Sequence, residues 1–301
     1  MSSTQTILEQ ALYQMTKGFV PFLLLLLGAF GSLGNIITFT SRSLRNNSCA
    51  FYFLSTATFE LLTVSFGLIS RIADQFGSLL QSQSRIYCKV RYYFALLFPT
   101  VATYLLLMVT IDRCLSTSAN PRYRSVSQIK VAYRMVPFVI ILCMIACSHT
   151  LVFVDHRPSC LPEPGPYSLF YSIYLISFSS VLPNLLLLVF GFWTISNIRK
   201  ARYRTAPSVA IIEQQQRNRQ NVEAQFIAMV VSQGIVSCII DLTRMSCYAY
   251  YLLTANQLKS SYQQIVDTFI FQFSIVLSYF NYSESFYTNT LTNRHTSITG
   301  S

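Results

Sequence analysis

The chain has 301 residues, of which 52% are hydrophobic and only 11% charged, with a formal net charge of +11. Soluble domains carry roughly 25% charged residues, so a chain this poor in charge cannot cover a water-facing surface. The positive balance would suit nucleic acid, but beside long apolar runs it reflects basic cytoplasmic loops, and no nucleic-acid partner is expected.

Seven apolar segments follow in chain order, at about Phe19–Ser41, Phe51–Ile72, Cys88–Leu115, Val131–Val154, Ser168–Ile195, Ala224–Leu253 and Tyr262–Tyr287. Runs beyond roughly 18 apolar residues argue membrane-spanning helices. Residues Met1 to Thr16 are polar, and the first run is too long for a signal segment. The first span is therefore expected to target the chain itself. The expected fold class is an all-α membrane protein, a seven-transmembrane helix bundle. Residues 1–18 would form an extracellular N-terminus, 19–287 the helical domain and 288–301 a cytoplasmic tail.

Loop charge sets the orientation. With the N-terminus outside, fourteen of the 22 Lys and Arg fall on the inner side and seven on the outer, with Arg244 inside span six. The outer loop Asp155–Pro166 is rich in proline and cannot continue a helix. The inner loop Arg199–Val222 is basic and glutamine-rich, which suits either a solvated extension of the helices or a docking surface.

Cys88 opens span three and Cys160 lies in the next outer loop. Both face an oxidising compartment, where a disulfide is chemically permitted. The other six cysteines lie in spans or near the inner surface and suit packing. The scatter lacks CxxC or Cys/His clusters, so no metal site is expected.

At the inner end of span three, Asp112 and Arg113 stand side by side. A carboxylate beside a guanidinium at a partly dehydrated helix end can hold it as a latch, while the positive-inside rule alone would also favour an Arg there. Glu60 lies mid-span, where an acid costs about 2.5–3.5 kcal/mol on insertion scales, so partners are expected. Asp241 and Arg244 are three residues apart in span six and can pair on one helical face. Span seven is rich in Tyr, Phe, Ser and Gln, which suggests a face turned to a protein interior.

These features together resemble the rhodopsin-like G-protein-coupled receptors. Cys88 lies twenty-five residues before Arg113, the spacing that family shows between its disulfide cysteine and its arginine. The family's Asp-Arg-Tyr reads Asp112-Arg113-Cys114 here. Gly34-Asn35 matches the family pair in span one, and Glu60 in STATFELL stands where the family has aspartate in LAxxDLL. Pro183 occupies the family's proline position in span five. The chain departs from the family pattern elsewhere. Span six has no CWxP, and span seven keeps only Tyr287 of NPxxY, so the family's helix kinks lack their prolines. The overall look is of a divergent invertebrate receptor nearer the peptide-receptor branches.

The resemblance implies a plasma-membrane, multi-pass receptor that takes an extracellular ligand and activates a heterotrimeric G protein. It implies a Cys88–Cys160 bridge, with Asp112, Arg113 and Tyr287 as the coupling switch. Asn35, Glu60 and Ser283 would form an intramembrane polar network, with water or a sodium ion between them and no other cofactor. Two ligand classes are argued down. The amine-receptor aspartate position is Ala95, and span seven lacks the lysine that opsins use. The remaining pocket would be walled by Phe94, Phe98 and Phe273, with Asp241, Arg244 and Gln272 as polar groups, which suits a peptide or a small molecule. No catalytic constellation is present, so no enzyme is expected. The reading from another class is a seven-span channel or transporter whose charges line an ion path. The chain shows no internal repeat of the kind many transporters carry.

Overall fold

The computed structural model describes residues 3–42, 44, 46–75, 84–155, 161–162, 166–202, 230–247, 250 and 259–299. Among these residues the architecture is helical, apart from a pair of two-residue strands. A helix at Ser3–Thr16 precedes span one at Val20–Phe39, span two at Ser48–Gln75 and span three at Arg85–Ser116. A short helix at Pro121–Arg124 leads to span four at Ile129–Cys147, which continues after a break as His149–Phe153. Span five runs from Pro166 to Arg202 through a π turn at Ser177–Val181. Span six occupies Val230–Cys247, and span seven Ser261–Thr299.

Six helices among the described residues are long and apolar enough to cross a membrane. Span seven is long enough but too polar to qualify on composition. Its 39 residues would extend about 58 Å at 1.5 Å per residue, nearly twice a hydrocarbon core of about 30 Å. The expected boundary at Tyr287 is not a break: the helix runs on to Thr299. Neither Pro nor Gly occurs between Ser261 and Thr299, so nothing in the sequence interrupts it.

The burial pattern separates central from peripheral helices. Span one buries Pro21, Leu24, Gly28, Gly31, Ser32, Asn35 and Phe39, a single stripe at three- and four-residue spacing. Its other face leaves Leu26, Phe30 and Ile37 exposed, as a lipid-facing surface should be. Span three is buried on nearly every side from Leu96 to Cys114. It is therefore the central helix, packed against spans two, four and five. Val101, Leu105 and Val109 are fully enclosed there, and that burial carries the helix end bearing Asp112 and Arg113 into the bundle.

Close approach of spans one and seven depends on Gly34. A Cβ there would sit 2.6 Å from the Phe286 ring, so only hydrogen leaves room for the aromatic. In span five the π turn ends one residue before Leu182–Pro183. Proline lacks an N–H and crowds the preceding turn, and the wider turn accommodates it. Tyr104 of span three donates its hydroxyl to the carbonyl of Phe178 within that turn at 2.9 Å. At the same end as Cys88, the two strands pair antiparallel, Val154 with Pro162 and Asp155 with Leu161. The helix ends at Phe153, ahead of the loop's first proline, and Val154 already runs extended.

Candidate functional site

At the end of span three, Asp112 and Arg113 are 5% and 4% exposed. Arg113 donates to Asp112 Oδ2 from Nη2 at 2.6 Å and from Nε at 3.2 Å. The carboxylate accepts two further bonds. Ser48, the first residue of span two, donates to Oδ2 at 3.1 Å, and Ser127, after the short helix, donates to Oδ1 at 2.7 Å. Asn120 caps that short helix by accepting from the Arg122 N–H at 3.0 Å, which fixes where Ser127 arrives. Asp112 is thus a hub joining span two, span three and the connecting loop. A buried charge needs this degree of satisfaction. Sequence reasoning found the pair but missed both serines.

Tyr287 does not join this cluster. Its hydroxyl donates to the carbonyl of Leu27 at 3.2 Å, which turns the ring toward span one. In place of the expected grouping of three, the structure shows a cluster of Asp112 and Arg113 with Ser48 and Ser127.

In the middle of the bundle, Glu60 is 4% exposed and accepts two bonds. Ser285 donates to Oε2 at 2.7 Å, and Gln233 donates to Oε1 from Nε2 at 3.3 Å. Asn35 donates to the Ser285 hydroxyl at 3.1 Å. The chain of bonds therefore ties spans one, two, six and seven together by direct contact. Ser285, not Ser283, holds the place in span seven. Ser283 donates back to the Tyr279 carbonyl at 2.8 Å and packs where Gly28 leaves room. Glu284, also buried, accepts from Thr288 one turn along. Among the described residues no group of three or more His, Cys, Asp or Glu could hold a metal ion.

Beside Glu60 lies a small polar compartment of about 20 Å³, bounded also by Asn184, Gln233, Ser237, Asp241 and Asn281. Asp241 accepts from Asn184 at 2.9 Å and forms an ion pair with Arg244 at 3.5 Å. Ser237 donates to Asn281 at 3.1 Å. A larger cavity of about 910 Å³, including its open mouth, lies toward the Cys88 end of the bundle. Phe94, Phe98 and Arg244 line it, as do Phe66, Tyr279 and Tyr282. Tyr282 is common to both spaces.

Three of the expected pocket residues are placed elsewhere. Asp241 bounds the inner compartment, not the larger cavity. Gln272 accepts from Arg71 at 2.6 Å and is not part of the cavity wall. Phe273 is 37% exposed and stacks on Phe269, outside the cavity. Cys88 is fully buried and disulfide-bonded; its expected partner Cys160 lies outside the described residues.

The bundle thus has a cavity near one end and a buried ion-pair hub at the other. Residues 35–283 match the family described as 7 transmembrane receptor (rhodopsin family), and the chain belongs to it. No curated protein matches the chain. It is accordingly a multi-pass membrane protein of the G-protein-coupled receptor class, which decides against the channel or transporter reading.

Proposed function

We propose that this chain is a plasma-membrane receptor that binds an extracellular ligand in the cavity between Phe94, Phe98 and Arg244 and promotes nucleotide exchange on a heterotrimeric G protein through Arg113. The orientation follows from the charge bias of the loops, with the N-terminus outside and the basic side, including Arg113, in the cytoplasm. The carrying observation is the Asp112 hub. Its carboxylate holds Arg113 from one side while Ser48 and Ser127 hold the carboxylate. Such a cluster has two arrangements: one with Arg113 held, and one with Arg113 released toward a partner.

The Glu60–Ser285–Gln233 bonds couple the two ends. Span six reaches the ligand cavity through Arg244 and the span-two acid through Gln233. A ligand that moves span six therefore acts on the same bonds that set the packing of spans two and seven. With the kink prolines absent, we assign the coupling to this network and to rigid displacement of span six. The pairing of Cys88 with Cys160 belongs to the same reading. The other six cysteines are free thiols, which supports Cys160 as the partner.

The test is nucleotide exchange on a panel of purified heterotrimeric G proteins, with the full chain reconstituted in lipid nanodiscs. Arg113→Ala should lower both basal and stimulated exchange by tenfold or more at matched receptor amounts. Exchange equal to wild type would reduce Arg113 to a charge that sets topology.

A further inference from the structure

The larger cavity has chemically unequal walls. Phe94 and Phe98 stack with centroids 5.0 Å apart, and Phe66 meets them edge-on at 5.8 Å and 5.7 Å, so the three rings form an aromatic shelf. Tyr92, Tyr171, Phe271 and Tyr279 extend it. Among the residues bounding the cavity, Arg244 alone carries a full charge. Its Nε is buried without a hydrogen-bond partner, although Asp241 Oδ1 stands 3.5 Å away as an ion-pair partner. Asp241 faces the neighbouring compartment, where Asn184 holds its other oxygen.

We propose that the ligand of this receptor is a small monoanion, a carboxylate carried on an aromatic or alkyl body. Its carboxylate meets the Arg244 guanidinium, and its body lies on the Phe66–Phe94–Phe98 shelf. The proposal rests on the receptor reading above and adds the chemistry of the ligand to it.

Three physical points favour this class. A guanidinium offers several N–H donors in a planar fork that matches a carboxylate, and Asp241 approaches that of Arg244 at Nε, 3.5 Å away. A cationic ligand would meet the guanidinium in the cavity while the carboxylate of Asp241 is turned into the other space. Aromatic faces suit offset stacking with a flat body and accept an alkyl chain equally well. Arg71 and Arg91 stand one helical turn along the chain from wall residues Gly67 and Ala95. Their charge gives the approach to the cavity the same preference for an anion.

The experiment uses the purified full chain in phosphatidylcholine nanodiscs. The probes are 4-phenylbutyrate, 3-(2-naphthyl)propionate and dodecanoate, each beside its primary amide, together with 4-phenylbutylamine. The readout is the ligand-dependent rise in unfolding temperature, which binding to the folded state produces by mass action. At least one acid should raise it in a saturable manner, while its amide and the amine do not. The rise should vanish in Arg244→Gln and persist in part in Arg244→Lys. The aryl and alkyl acids tell which body the shelf prefers. No rise with any acid, an amide equal to its acid, preference for the amine, or an undiminished rise in Arg244→Gln would each overturn the proposal. The acid–amide comparison on the wild-type chain decides the question even if a variant fails to fold. Acids that bind without promoting exchange on any G protein would keep the ligand class and defeat the receptor reading. Exchange driven only by amines or neutral compounds would do the reverse.

Discussion

Asp112 illustrates how a single carboxylate can be legible in a sequence while its environment is not. Its neighbour Arg113 is adjacent in the chain, so the pair could be read directly. Ser48 is 64 positions away, and nothing in its immediate sequence marks it as a donor to span three. Each such bond to a charged acceptor contributes about 1.5–3 kcal/mol. Ser127→Ala should therefore weaken the hold on Asp112 and raise basal exchange several-fold, with Asp112→Asn raising it further. Basal nucleotide exchange at matched surface expression measures both, and a Ser127→Ala value equal to wild type would remove the loop from the hub. Ser283 and Ser285 show the opposite difficulty. The right segment was legible, but two positions along a helix are about 200° apart, so the neighbouring serine faces another direction. The same angular error separates Gln272 and Phe273 from the cavity wall residues Phe271 and Ser274. Glycine burial sharpens the point. Gly34→Ala forces a methyl against Phe286 and should destabilise the fold by about 1–3 kcal/mol, as overpacking does. Gly191→Ala meets nothing within 4 Å and should be neutral or stabilise by up to about 1 kcal/mol through helix propensity. Thermal unfolding of the two variants in one detergent compares them directly.

At the scale of the helices, the apolar runs located the six helices that are apolar enough to cross a membrane, because hydropathy is a local property. The ends were less legible. Span seven continues beyond Tyr287 because an α-helix needs a reason to stop, and that stretch supplies neither Pro nor Gly. The π turn in span five was not anticipated, although Pro183 was noticed, since a widened turn is an answer to a proline that only packing selects. Tyr104→Phe leaves the Phe178 carbonyl without that donor and should cost about 1–3 kcal/mol, the range for a buried acceptor left unmet. Its signature is a lowered unfolding temperature, and an unchanged value would mean that another donor replaces the hydroxyl. Gln233 links span six to Glu60, so Gln233→Leu should free span six and raise basal exchange, with no need to alter the ligand cavity. A Gln233→Leu receptor with wild-type basal exchange would place the coupling elsewhere.

For the whole molecule, family membership and helix count agree, and the orientation can be checked without a ligand. Epitope tags at Ser2 and Ser301 should label from opposite faces of intact cells, because an odd number of spans separates them. Same-side labelling would exclude seven crossings. The distribution of the Asp112 contacts also bears on how the chain is made. Asp112 draws Ser48, Arg113 and Ser127 from residues 48 to 127, all of which leave the ribosome before span five begins. Synthesis proceeds at about 5–20 residues per second, so the cytoplasmic hub has seconds in which to close while spans five to seven are still unmade. The bonds of Glu60, in contrast, wait for Gln233 and Ser285. The partners of Asp112 are thus all present in the chain before the partners of Glu60 have been made.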